Sequence, residues 1–397
     1  MTASAEPSGR SQPAPAAVPD PRADERRPGG PLEPGWRARM ERAQESALHP
    51  GRAVVSCPAP YGAGGLGRHL REIAEAIERS GAPAPHIIDS GEDERTPATR
   101  RRGLPELLGA LAPLARFSPA WRMWSASVRF DARAARRLSD ADQLIAFNGT
   151  ALAQFKAAQR AGVSSRSLVS ANSHMRRVIR QHELAYRQYP VERPWATHLL
   201  RRNLSEYAHA DRIYVASRYV FESFKEEGYG DELLSLFPLT PDPRYRPPST
   251  PKSSSTFDIV YCGSLVVHKG VPLLLDAVRR LGHDDLRLVL VGGWKTPAMR
   301  RLVRGACRGD QRISVRPGDP LPWFQSARLC VHAAYEDGFA YAPAEAMACG
   351  VPVIVSEDTG MKELVDHGRN GLILPTGSVD ALAQAIDASY RGEILHG

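Results

Sequence analysis

From Gly51 onward, short apolar runs rich in β-branched residues alternate with stretches in which apolar residues recur every three or four positions. RAVVSC (52–57) has the first pattern and leads through the turn-forming PAPYGAGGLG into RHLREIAEAIERSG (68–81). There Leu70, Ile73, Ala74 and Ile77 share one helical face, and Gly81 is a natural stop. Strand-like runs follow at PHIID (85–89), QLIAF (143–147), RSLVSA (166–171) and DRIYVAS (211–217), separated by helical stretches that include 151–161 and 195–209. Strands alternating with helices predict a parallel α/β sheet.

PLTPDPRYRPPSTPKSSST (238–256) is rich in Pro and Ser and interrupts this pattern as a linker. A second α/β series then begins with FDIVYCG (257–263), a helix over 270–281, RLVLVGG (287–293), ISVRPG (313–318) and RLCVHAA (328–334). It continues with a helix from about 341, PVIVS (352–356) and a last helix over 378–390. No repeat of fixed period relates the halves. The pattern therefore predicts a disordered tail (1–50), an N-terminal domain (51–240), a linker (241–256) and a C-terminal domain (257–397). The tail reading rests on nine Pro and little aliphatic content in the first fifty residues, too little to offset the entropy of ordering them.

Composition narrows the class. The 397 residues are 42% hydrophobic and 24% charged, enough to build a core. No apolar run approaches the ~18 residues of a membrane span, and the N-terminus lacks the pattern of a signal peptide. Five scattered cysteines with no C-x-x-C spacing argue against a disulfide framework and against zinc. A soluble, cytoplasmic protein is expected. Lys and Arg total 52 against 44 acids, and the first fifty residues balance at seven Arg and seven acids, so the whole excess of +8 lies in the folded body. A basic body suits an anionic partner such as a nucleotide phosphate, a nucleic acid or an anionic membrane. No basic-aromatic nucleic-acid module is present, so nucleic acid is not expected.

The most informative stretch is YEDGFAYAPAEAMACGVPVIVS (335–356). A strand runs into a tight turn at Gly338, and a helix begins near Tyr341 and stops at Gly350. The free amides at that helix start would suit a phosphate. Asp337 in the turn and Glu345 one turn into the helix would face the same ligand, where carboxylates can grip sugar or ribose hydroxyls.

Asp337–Gly338–Phe339 followed by Glu345–Ala–Met–Ala–x–Gly–x–Pro–Val–Ile resembles the signature of the retaining, GT-B-fold nucleotide-sugar glycosyltransferases (glycosyltransferase family 4, glycosyl transferases group 1). The resemblance covers about residues 52–390 and is tight over 257–376. It implies two Rossmann-like domains facing across a cleft, the N-terminal one binding the acceptor and the C-terminal one the nucleotide sugar. The family's E-x7-E pattern maps onto Asp337 and Glu345, with Asp in place of the first Glu; Glu336 lies one residue out of register. The first acid then contacts the transferred sugar and the second holds the ribose. The family's G-R-L-x-x-x-K-G stretch is similar to GSLVVHKG, which retains Lys269 and Gly270 but carries Ser264 at the Arg position, so the diphosphate site is one cation short. The third match is the glycine loop containing Gly64, Gly65 and Gly67.

The resemblance implies catalytic roles for Asp337 and Lys269, and the place of His174 just past a strand end adds it as a third catalytic candidate. The resemblance also implies donor contacts from Glu345, Gly338, Phe339, Ala340, Tyr341, Ser264 and Gly65, and an acceptor contact from Gly64; the charge of Arg177 adds it as a second acceptor candidate. The resemblance further implies retention of anomeric configuration, no metal ion, and no cofactor beyond a nucleotide-diphosphate sugar as co-substrate. The acceptor would be a sugar, a lipid-linked molecule or a small molecule.

Other features carry two readings each. His174 sits just past a strand end, as a ligand contact or a helix cap. Arg176, Arg177 and Arg180 face an anionic acceptor or form a solvated helix face. Asp140–Ala141–Asp142 has the D-x-D form of a metal motif, but its helix-to-strand loop favours plain surface solvation. The glycine loop with Asp89 also has the outline of a dinucleotide site. The stretch 100–130 mixes Arg with Trp121, Met123, Trp124 and Phe130, as in helices that dock peripherally on the inner face of an anionic membrane, or as in a helical layer of the domain. The family continues past 378–390 with a helix crossing back to the first domain, whereas this sequence ends at RGEILHG, so either that brace is absent, with weaker domain closure expected, or the sequence is a truncated product. Ser264, Asp337 and that ending leave a second class open, a catalytically degenerate homologue that binds a nucleotide or a partner.

Overall fold

The computed structural model describes residues 35–49, 51–91, 119–138, 140–192, 196–249 and 255–394. It holds two parallel six-stranded sheets, each covered by helices on both faces. The first half runs α1 (Trp36–Ala47), β1 (Ala53–Ser56), α2 (Gly64–Arg79), β2 (His86–Ile88), α3 (Pro119–Ala134), β3 (Gln143–Phe147), α4 (Leu152–Arg160) and β4 (Ser165–Ser170). It continues with α5 (Met175–Gln188), α6 (Leu200–Tyr207), β5 (Arg212–Val215), α7 (Arg218–Lys225) and β6 (Leu234–Leu236). The second half runs β7 (Phe257–Cys262), α8 (Val271–Arg279), β8 (Leu286–Val291), α9 (Pro297–Gly309), β9 (Ile313–Val315), α10 (Leu321–Phe324) and β10 (Leu329–His332). It closes with α11 (Tyr341–Ala348), β11 (Val353–Ser356), β12 (Gly371–Leu374) and α12 (Val379–Tyr390).

The sheet orders are β2-β1-β3-β4-β5-β6 and β12-β11-β10-β7-β8-β9, with every strand pair parallel. All five residues of β3 are buried, as are all four of β1 and β10, because helices cover both sheet faces. Such strands read as continuous apolar runs without alternation, which is why they stand out in the sequence. One apolar cluster joins the two sheets: Val55, Phe147 and Tyr214 connect through Leu239, Tyr245, Phe339 and Ala344 to Val260, Cys330 and Val353.

The proposed tail needs correction at its end. Trp36–Ala47 is a helix, burying Trp36, Gln44 and Ala47. Its apolar content is too low to show in the sequence pattern, and polar contacts hold it: Gln44 Nε2 donates to Glu72 at 2.9 Å and to the Pro238 carbonyl at 2.7 Å. Residues 1–34 lie outside the described residues, as does 100–118 of the basic-aromatic stretch. In its described part, Phe130 is core, Trp124 packs on Met175, Val178 and Ile179, and Trp121 stacks on Trp124. No helix among the described residues is long and apolar enough to cross a membrane.

Candidate functional site

Open α/β sheets bind ligands beyond the carboxyl ends of their strands where the strand order reverses. In the first sheet that point lies between β1 and β3, where the glycine loop emerges. In the second it lies between β7 and β10, where Gly263–Ser264 and 333–337 emerge. The glycine loop and the turn at Gly263–Ser264 border a cleft of about 520 Å³, and 333–337 lie beside it. Gly62, Gly64, Gly65 and Arg68 line it from the first domain, Arg244 and Tyr245 from the linker, and Ser264, Gly292, Gly293, Trp294, Lys295 and Glu345 from the second. Gly64, Gly65, Ser264 and Glu345, widely separated in sequence, therefore meet at one cavity. Three cations (Arg68, Arg244, Lys295) and one acid, Glu345, line it; Arg68 pairs with Glu345, and Arg244 with Asp319 at 2.9 Å.

Glu345 is 1% exposed and pairs with Arg68 across the domain boundary. The Arg68 guanidinium also lies 4.5 Å from the Tyr341 ring centre, and its Nε donates to the Gly64 carbonyl at 3.1 Å. Arg68 was not among the residues singled out from the sequence. The available signal was its place one turn into α2, directly behind the glycine loop.

Asp337 and Lys269 lie beside the cleft, outside its lining, and engage each other. Lys269 Nζ donates to Asp337 Oδ2 at 2.8 Å and to the Glu336 carbonyl at 3.0 Å. His332 Nε2 lies 3.1 Å from the same Asp337 oxygen, and the Ala340 N–H donates to Asp337 Oδ1 at 3.1 Å. Burial works to raise the Asp337 carboxyl, but Lys269 and His332 outweigh it and hold it well below the usual carboxylate range. Asp337 is thus a fixed anion, and Lys269 is occupied by it.

The turn between them differs from the expected phosphate cradle. Phe339 and Ala340 are buried at the domain boundary, and none of Gly338, Phe339, Ala340 and Tyr341 lines the cleft. The Ala340 amide is taken by Asp337, and Ala340 itself adopts φ 67°, an uncommon conformation for a residue with a Cβ. Gly338 has no positive φ; a Cβ there would stand 2.2 Å from the Ala171 carbonyl oxygen of the opposite domain. Close approach, rather than turn geometry, requires glycine. Ser217 Oγ donates to the Gly338 carbonyl at 2.6 Å, and Glu336 accepts from Ser173 N–H at 2.9 Å and Asn172 Nδ2 at 3.1 Å. Glu336, out of register with the family pattern, serves the domain boundary, and burial pushes its carboxyl up.

His174 also needs correction as a catalytic candidate. It is 1% exposed, caps α5 through a 3.4 Å contact from the Arg176 N–H to Nδ1, and lies among Tyr207, Phe224 and Tyr229. Burial lowers its pKa to about 4, so it is neutral at pH 7. Arg177 pairs with Glu226 and lies over Tyr219, while Arg176 and Arg180 both pair with Glu227. All three are held by α7 and its C-terminal end. Asp140 and Asp142 pair with Arg52. Asp89 accepts from the Tyr61 N–H at 2.7 Å and the Gly91 N–H at 2.9 Å, so it supports the glycine loop where a dinucleotide site would use it for ribose.

Glu72 of α2 is a further residue that sequence reasoning missed. It is 6% exposed and accepts from Gln44 Nε2, from the Thr240 N–H and Oγ1, and from the Tyr341 hydroxyl. A glutamate in an amphipathic helix with polar neighbours gives no sign of burial; only the fold brings its four donors together.

Residues 256–391 match the family described as glycosyl transferases group 1. The D-inositol 3-phosphate glycosyltransferase of Pseudarthrobacter chlorophenolicus is 30% identical over 145 residues, 34% of each chain. The O-antigen chain mannosyltransferase B of Escherichia coli is 33% identical over 142 residues, 34% of this chain and 37% of that one. The matches thus span little more than a third of these relatives' length. Sucrose-phosphate synthase from Thermosynechococcus elongatus superposes with a TM-score of 0.61 at 18% identity, covering 86% of this chain and 90% of that one. Anabaena Alr3699/HepE in complex with UDP and glucose superposes with a TM-score of 0.56 at 16% identity, covering 86% and 90%. The two facing parallel sheets are the GT-B fold of these structures.

Proposed function

We propose that this protein transfers a sugar from a nucleotide-diphosphate donor to an acceptor hydroxyl, with retention of configuration and without a metal ion. The observation that carries the reading is the shared cleft, in which the buried acid Glu345, the small residues Gly64, Gly65 and Ser264, and three cations converge. Glu345 would hold the ribose hydroxyls. The cations would neutralise the departing diphosphate, the charge that develops during transfer, and preorganised electrostatics is the main lever on such a step. Asp337, kept ionised by Lys269 and His332, would orient the transferred sugar. No cofactor is required. The acceptor would be a sugar, a lipid-linked or a small molecule entering from the first domain, in the cytoplasm or at the inner face of a membrane. The relatives support a group-1 glycosyltransferase chemistry in the second domain; the UDP and glucose named with HepE support a nucleotide sugar as donor class.

The test is thermal stabilisation by UDP-, GDP- and ADP-sugars and their free diphosphates, followed by nucleoside-diphosphate release with candidate acceptors. A ligand at ~100 times its dissociation constant adds about 2.7 kcal/mol. A shift selective for one nucleotide and lost in Glu345→Ala supports the reading. Absence of any shift would sink it and favour a degenerate homologue.

A further inference from the structure

We infer that Arg68, from the first domain, is the mobile cation that grips the donor diphosphate, and that its pairing with Glu345 is the resting position from which the donor's ribose displaces it. The inference rests on the donor-site reading above and names a residue for that site. Three observations lead to it. Ser264 lines the cleft where a cation is expected and cannot neutralise charge. Lys269 is held by Asp337 at 2.8 Å and does not line the cleft. Arg68 does line it, and its partner is Glu345, the acid placed to take the ribose.

The exchange follows from donor and acceptor chemistry. Glu345 is 1% exposed and Arg68 is 23% exposed, so without ligand the guanidinium satisfies a carboxylate that water barely reaches. Ribose hydroxyls donate hydrogen bonds and can replace the arginine N–H groups on that carboxylate. The diphosphate is joined to the ribose and therefore arrives beside the released guanidinium. A planar guanidinium can then hold two phosphate oxygens at once, which the Lys269 ammonium would do only as a point charge. The Tyr341 ring, 4.5 Å from the guanidinium carbon, offers the moving cation a face to rest on. One side chain of the first domain thus reaches a donor held mainly by the second.

The inference separates the nucleoside from its phosphates. Calorimetric titrations of the full chain with uridine, guanosine and adenosine, and with UDP, GDP and ADP, would be compared in wild type, Arg68→Ala and Arg68→Lys. Arg68→Ala should weaken the preferred nucleoside diphosphate by at least about 10-fold. It should leave the matching nucleoside unchanged or tighter, because Glu345 no longer has a competing partner. Arg68→Lys should recover part of the diphosphate affinity, and if Arg68→Ala does not fold, the same split read on Arg68→Lys carries the test. Equal weakening of nucleoside and diphosphate would make Arg68 a structural residue and overturn the inference, as would undiminished diphosphate binding. A wild-type chain that binds none of the diphosphates overturns the donor-site reading itself, and this inference with it.

Discussion

The Tyr341 hydroxyl donates a 2.7 Å hydrogen bond to Glu72 Oε1, joining residues 269 positions apart in the sequence. Tyr341 opens the helix that carries Glu345, and Glu72 lies one turn beyond Arg68 on α2. The same carboxylate accepts from Thr240 at the end of the first domain and from Gln44 in α1. Four segments meet on one buried acid at the boundary between the domains.

Removing that acid should loosen all four. Glu72→Ala leaves the Tyr341, Thr240 and Gln44 donors without their buried acceptor, at a cost of about 3 kcal/mol. Tyr341→Phe removes one bond and should cost about 1 kcal/mol. In urea titrations of the two single variants and the double, Tyr341→Phe should cost less in the Glu72→Ala background than in wild type. Strict additivity would show that the bond contributes nothing.

Gly338 should tolerate no side chain. Its missing Cβ would stand 2.2 Å from the Ala171 carbonyl oxygen, and backbone cannot yield as a flexible side chain can. Gly338→Ala must push the domains apart or strain the turn, costing about 1–3 kcal/mol. Small-angle scattering should report a larger radius of gyration, and the nucleotide-induced melting shift should shrink. Wild-type values for both would refute the close approach.

Much of this architecture was legible in the sequence because both sheets are parallel and buried. QLIAF became β3 residue for residue, since strands covered on both faces need continuous apolar runs, and FDIVYC became β7, buried at Ile259, Val260 and Tyr261. The edge strands Leu234–Leu236 and Gly371–Leu374 escaped notice because they are short and incompletely buried. At the site, Glu345, Ser264 and the glycine loop could be paired through local motifs. Arg68 carried one local signal, its place behind the glycine loop, but its partner and those of Glu72 lie far away in the sequence, which no local spacing encodes. His174 misled for the opposite reason: its position past β4 suits a ligand contact, whereas its aromatic cage is built from residues 33 to 55 positions further on.

Buried neutral histidines should make the fold acid-sensitive. Burial lowers the pKa of His69 and His182 to about 3 each and that of His174 to about 4, against an ordinary value of 6.5. Below pH 6.5 the unfolded chain takes up protons that the native chain refuses. The stability these groups confer is therefore complete above pH 6.5 and is lost as the pH falls toward their native values. His69 and His182 should each cost about 1.4 kcal/mol per pH unit within that window. Melting temperature should drop from pH 6.5 to pH 4. His69→Leu should flatten the slope, since His69 packs between Phe147 and Phe237 and its Nε2 makes no hydrogen bond. An unchanged slope in His69→Leu would mean that this histidine does not titrate as argued.

Placing at position 337 the glutamate of the E-x7-E pattern that this stretch resembles should harm the protein, although a consensus argument predicts a gain. Asp337 reaches Lys269 and His332 with one oxygen and the Ala340 amide with the other, and that amide belongs to a residue held at φ 67°. A carboxylate one methylene longer cannot keep both sets of contacts without moving the turn, and the turn is pinned by Ala171 and Ser217 of the opposite domain. Asp337→Glu should therefore cost about 1–2 kcal/mol of stability and lower donor turnover. Asp337→Asn keeps the size and removes the charge that balances Lys269. It should melt below Asp337→Glu, because Lys269 loses its counterion, and on the proposed role of Asp337 toward the sugar it should also lose more turnover. Melting curves and nucleoside-diphosphate release for the two variants decide the matter: higher turnover in Asp337→Glu would mean that the aspartate is a deficit of this chain and that the observed contacts only compensate for it.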